Sequence, residues 1–266
     1  MTTATPLESI LKRDRLVVAA GLFVIAALAW FYMLREARAM SHTGVCQCFG
    51  MRMSGPDTQA WAAEALLPLF LMWAGMMVAM MVPSAAPMIL TFATVNRRRR
   101  EQEQPFVPVG IFLLGYLAVW TAFSALAAGA QWILHGTALL SPMMVSTSPV
   151  LGGVLLIAAG VFQWTPFKHA CLAHCRSPLS FLMTDWREGR RGAFAMGVKH
   201  GAYCTGCCWF LMALLFVAGV MNMWWVTILS VVVLLEKAVP GGVWLGRIIG
   251  ALLAAWGVGM IVAWAG

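Results

Sequence analysis

Of the 266 residues, 61% are hydrophobic and only 11% are charged, whereas soluble globular domains carry roughly 25% charged residues. The formal net charge of +8 would fit a nucleic-acid partner in a soluble protein. Here, however, the basic residues occupy short connectors between apolar runs, where they serve as topology signals, so no nucleic acid is expected. Seven cysteines in so long and apolar a chain do not make a secreted disulfide scaffold. The expected fold is all-α, a polytopic transmembrane helical bundle of about seven spans.

The first apolar segment, 16–34, follows Lys12, Arg13 and Arg15. A cleavage-like Ala37-Arg38-Ala39 comes after it, but the run exceeds the usual 7–15 residues of a signal-peptide core. A retained anchor is expected. Residues 1–60 are thus expected to form an N-terminal anchor and an extracytoplasmic loop with His42, Cys46 and Cys48, and residues 61–266 a metal-binding bundle. The Cys-x-Cys pair would either accept a metal from outside or be lost to oxidation.

The second segment, 62–90, carries Met72, Met76 and Met80 at four-residue spacing, beside Met77 and Met81. Thioethers are soft ligands selective for Cu(I), although methionine is also a common filler of irregular cores. Pro83 and Pro87 are expected to bend or end this helix. Arg97-Arg98-Arg99-Arg100 leads to a third segment, 106–135, and then a fourth, 148–167, whose end is marked by Gln163 and Pro166.

Directly after it comes Lys168-His169-Ala170-Cys171-Leu172-Ala173-His174-Cys175-Arg176. If this stretch is helical, Cys171 lies one turn from both His174 and Cys175, and one metal would bridge them. A tetrahedral zinc site would want four such ligands. The competing reading is an interfacial loop whose His and Lys meet water and phosphate.

The fifth segment, 193–219, holds the strongest constellation: His200, Cys204, Cys207 and Cys208. With His200 at zero and 100° per residue, the three thiols fall at roughly 40°, −20° and 80°. One imidazole and three thiols therefore share a face. Thiolates suit Cu(I) and zinc, and imidazole suits copper and zinc. Gly197 and Gly201 would let a neighbouring helix approach closely. Plain packing explains one or two small buried cysteines, but three within five positions on a histidine stripe are harder to explain so.

The sixth and seventh segments are 221–238 and 242–264. The count of seven assumes a tight turn near Asn222, and without it the count is six. Glu236 and Gln163 are weaker intramembrane polar candidates. With Lys237 and Pro240 beside it, Glu236 is expected near the interface in a snorkelling or salt-bridged role. Lys and Arg concentrate on one set of connectors, leaving Arg35, Arg38 and Arg52 on the other, which predicts a cytoplasmic N-terminus. The chain has no phosphate-cradling Gly-rich Lys loop, haem-attachment motif or serine-nucleophile motif, which argues against an ATP-driven pump and leaves an enzyme the less expected reading.

Met72-Trp73-Ala74-Gly75-Met76-Met77-Val78-Ala79-Met80-Met81-Val82-Pro83, the stretch Gln163-Trp164-Thr165-Pro166-Phe167-Lys168 with Cys171, Cys175 and Arg176, and Gly201 through Trp209 resemble the signature blocks of a bacterial family. It is an uncharacterised family of predicted metal-binding integral membrane proteins, and the resemblance spans roughly residues 60–265. It implies a bundle in the bacterial inner membrane with a metal site and no assigned reaction.

These residues together predict a membrane protein that handles a soft transition metal, Cu(I) first and zinc second, for transport or delivery. Cys204, Cys207 and Cys208 would hold the ion with His200. Cys171, His174 and Cys175 would form an inner exchange site, and Met76 and Met80 a low-affinity track. Its partners would be the lipid bilayer and a metallochaperone or cuproenzyme. The alternative is a membrane thiol–disulfide oxidoreductase cycling Cys204 and Cys207.

Overall fold

The computed structural model describes residues 6–43, 65–103, 106–136 and 148–265. Cys46 and Cys48 fall outside these residues, as does the side chain of His42. The described chain is helical throughout: α1 Pro6–Thr43, α2 Leu66–Glu101, α3 Val109–Gly136, α4 Pro149–Phe162, α5 Pro166–Arg176, α6 Pro178–Asp185, α7 Gly189–Ala213, α8 Leu215–Ala218, α9 Met223–Ala238 and α10 Gly242–Ala265.

Local chemistry marks several starts. Ser148 and Thr165 cap α4 and α5 by accepting from Leu151 N and Lys168 N, each with a proline in the first turn. Asn222 caps α9 by accepting from Trp225 N. Such oxygens satisfy amides that the first helical turn leaves without partners.

Among the described residues, five helical stretches are long and apolar enough to cross a membrane: Arg15–Arg38, Leu66–Glu101, Val109–Gly136, Gly189–Ala218 and Gly242–Trp264. The pair α4 and α5 would make a sixth, bent by 64° at the break between them. The expected count of seven is thereby reduced to five or six. The segment expected at 221–238 folds as α9, whose 16 residues fall short of the roughly 20 that span a hydrocarbon core. Large apolar side chains point outward along the long helices, among them Phe23, Leu126 and Ile248.

The interior is built on α2. Trp73, Met76, Met77, Met81 and Val82 are fully buried, with α1 and α3 packed alongside. Helices α3 and α7 form one closely packed pair, and α4 and α10 another. At the α3–α7 crossing the backbones touch through glycine: a Cβ on Gly197 would strike the Phe112 carbonyl, and one on Gly115 the Phe194 carbonyl. The expectation that Gly197 and Gly201 admit a neighbouring helix is met by α3. Small residues permit this approach where helices associate by van der Waals packing.

Pro83 and Pro87 do not end α2, which runs on through the four arginines. A proline has no N–H for the carbonyl four residues earlier, and for Pro83 that carbonyl belongs to Ala79. Trp30 Nε1 of α1 donates to Ala79 O at 3.1 Å in its place. Trp30→Phe therefore leaves this carbonyl without its donor and should lower stability by about 1–3 kcal/mol, read as an earlier unfolding midpoint in detergent.

Candidate metal site

Helix α7 turns the face anticipated from its spacing toward the interior: His200, Cys204, Cys207 and Cys208 are all at most 2% exposed. The Cys207 and Cys208 thiols each donate back to Cys204 O, at 3.1 and 2.9 Å. Cys204 Sγ also meets polar groups of two other helices. Tyr116 OH of α3 lies 3.1 Å away, and Lys237 Nζ of α9 lies 2.9 Å away. Tyr116 OH is also 3.1 Å from Met81 O, and Lys237 Nζ is 3.1 Å from Ser84 Oγ. One sulfur thus ties α7 to α3, α9 and, through their second contacts, α2.

The two cysteine groups expected as separate sites lie together. α5 packs on α7, and the Cys175 thiol interacts with the thiols of both Cys204 and Cys207. Cys171 Sγ sits against α7 at Gly206, 2.9 Å from where a Cβ there would lie. All five described cysteines are free and buried. His174 lies apart from this convergence. It is exposed, its Nδ1 is 2.9 Å from Ala170 O, and its ring stacks on Tyr203 at 4.1 Å.

His200 is enclosed by the rings of Tyr116, Phe181 and Phe112, with centroids 5.6, 5.8 and 6.2 Å away. Its Nδ1 is buried without a hydrogen-bond partner. A buried imidazole nitrogen left unpaired is costly and is open to a ligand role. Met76 and Met80 are buried in α2, and Met80 stands one turn before Ser84, the residue that contacts Lys237.

Among the described residues, no group of three or more His, Cys, Asp or Glu is arranged as a ready metal cage. Two of the α7 thiols, Cys207 and Cys208, are turned back onto their own helix. Freeing them requires rotation about Cα–Cβ and the loss of two weak S–H bonds, a small change beside the strength of metal–thiolate bonds. The side chains gathered here are soft, with five buried thiols and an imidazole, donors that suit copper and zinc.

A second polar cluster adjoins the thiols. Lys168 Nζ contacts both Glu236 oxygens at 2.9 and 2.8 Å and also donates to Gln163 Oε1. Lys168 and Glu236 are 1% and 2% exposed. Glu236 is therefore salt-bridged, as one of its expected roles had it, but inside the protein and to Lys168 of α5. Hydropathy reasoning had placed Lys168 and Lys237 among the connector charges, and the structure draws both inward. Tyr116, Ser84 and Lys237 had no signal as site residues. Only the rarity of a lysine beside a glutamate at the end of an apolar segment pointed to this corner.

The described residues thus form an all-helical bundle with large apolar side chains facing outward and with thiols, an imidazole and a lysine inside. The profile of the PpoB2 family, described as a copper chaperone, matches residues 70–260, and the chain belongs to this family. No curated protein matches the chain. No solved structure matches it either.

Proposed function

We propose that the protein is a membrane copper-handling protein that takes up Cu(I) at a thiol cluster formed jointly by α5 and α7, for transport or delivery. The observation that carries this reading is the burial of five free thiols, Cys171, Cys175, Cys204, Cys207 and Cys208, on the packed helices α5 and α7 in a family described as a copper chaperone. Cys204, Cys207 and Cys208 with His200 form the principal donor set, and Cys171 and Cys175 hand the ion on across the helix pair. Met76 and Met80 offer weaker thioether contacts on the α2 side. His174, being exposed, suits capture or release at the rim.

Because Cu(I) is satisfied by two or three soft donors, the thiols can pass it between them with one bond forming as another breaks. No nucleotide is needed for such exchange. The recipient would be a metallochaperone or cuproenzyme, and the setting the bacterial inner membrane, with the N-terminus cytoplasmic and residues 1–60 as anchor and outer loop. Metal analysis of anaerobically purified protein tests this. Near-stoichiometric copper is expected in the wild type and its loss in Cys204→Ser/Cys207→Ser/Cys208→Ser. Equal, negligible copper in both after reconstitution would remove the reading, and a Cys204–Cys207 bond cycling under redox challenge would put thiol–disulfide exchange in its place.

A further inference from the structure

Lys237 stands in the last turn of α9 and is not neutralised by its neighbour in sequence, because both Glu236 oxygens are taken by Lys168. Its ammonium instead spans Cys204 Sγ at 2.9 Å and Ser84 Oγ at 3.1 Å. An ammonium carries three donors and no acceptor, so the sulfur is the accepting partner. A metal ion would draw on the electron density of the same sulfur. Cu(I) also brings the same single positive charge. Ammonium and metal therefore compete for one sulfur at equal charge, and close approach of both is opposed by their repulsion in a poorly screened interior.

We infer that Lys237 is a tethered counter-cation for the copper site: it holds the Cys204 sulfur when no metal is bound, is displaced by arriving Cu(I), and returns to the sulfur as the ion leaves. This inference rests on the copper-handling reading above. Exchange keeps the sulfur charge-balanced in both states. The Cu–S bond to Cys204 forms as the N–H···S contact breaks, with no electron transferred, and each further thiol that joins the ion gives up its S–H proton to water. The ammonium keeps Ser84 as a partner while displaced. The lysine thereby weakens retention of copper, which suits a protein that must give its cargo up.

The test measures release of Cu(I) from full-length protein in detergent micelles, without oxygen, into excess bathocuproine disulfonate. Lys237→Met is expected to release copper at least tenfold more slowly than the wild type, and Lys237→Arg, which keeps the charge, at close to the wild-type rate. Release from Lys237→Met at the wild-type rate overturns the inference. So does a Lys237→Met protein that fails to load while Lys237→Arg loads, since the ammonium would then be needed for binding. A second measurement uses the unaltered chain. Acylation of Lys237 by a small amine-selective reagent, read by mass spectrometry, should rise on copper loading, and an unchanged extent rejects displacement whatever the variants do. A wild-type protein that holds no copper overturns the functional reading and this inference with it, whereas loaded protein with unchanged release overturns the inference alone.

Discussion

Glu236→Gln is expected to destabilise the protein by about 3–5 kcal/mol, the range seen when one member of a buried ion pair is removed. Lys168 is 1% exposed and has its ammonium contacts with Glu236 and Gln163. Gln163 is neutral, so the variant leaves a full charge inside with only dipoles around it. Replacing both partners, as Lys168→Met with Glu236→Gln, should recover most of the loss, because the cost lies in the uncompensated charge and not in the absence of the pair. Unfolding midpoints in a mild detergent titrated with a denaturing one would compare the three. A double variant no more stable than the single one would show that the pair is itself a major source of stability.

The second large effect is expected from Gly197→Ala, a change that adds one methyl group. That methyl would strike the Phe112 carbonyl and stand 3.0 Å from Tyr116 N, and both are main-chain atoms of α3 that cannot turn aside. The helices must separate, at about 3 kcal/mol by the range found for overpacked interiors. The consequence reaches the site, since Tyr116 sits on the same stretch of α3 and contacts Cys204. Cys204 should then be alkylated markedly faster by a membrane-permeant maleimide. Gly129→Ala on α3, where a Cβ meets nothing within 4 Å, should leave stability and alkylation nearly unchanged. Similar behaviour of the two variants would refute the close-crossing explanation.

How far the site was legible in the sequence follows from the range over which each rule acts. The 100° step places His200, Cys204, Cys207 and Cys208 on one face because their spacing is a property of a single helix, and α7 buries that face. The same arithmetic put Cys171 one turn from both His174 and Cys175, yet only the two cysteines turn inward. The difference arises from what α5 packs against, and no local rule contains that. Hydropathy treated Lys168 and Lys237 as connector charges because a window average sees an ammonium and not its partner. Glu236 and Cys204 lie 68 and 33 residues from those lysines. The larger span count was an overestimate for a related reason: an apolar run also occurs in α9, whose 16 residues are too few to span. Pro83 and Pro87 were read by backbone rules alone, which do not anticipate a donor from another helix.

The bond from Trp30 to Ala79 sets a limit on how far the protein can be shortened. The region matched by the copper chaperone family begins at residue 70, and a chain trimmed to that boundary would look self-sufficient by similarity. It would nevertheless lose α1, and with it the indole that completes α2 where Pro83 leaves a carbonyl free. That carbonyl lies next to Met80 and one turn before Pro83, on the stretch of α2 that contacts Tyr116 and Lys237 through Met81 and Ser84. The smallest unit that keeps the thiol cluster in its native surroundings therefore starts upstream of Trp30, some forty residues before the boundary that family similarity draws.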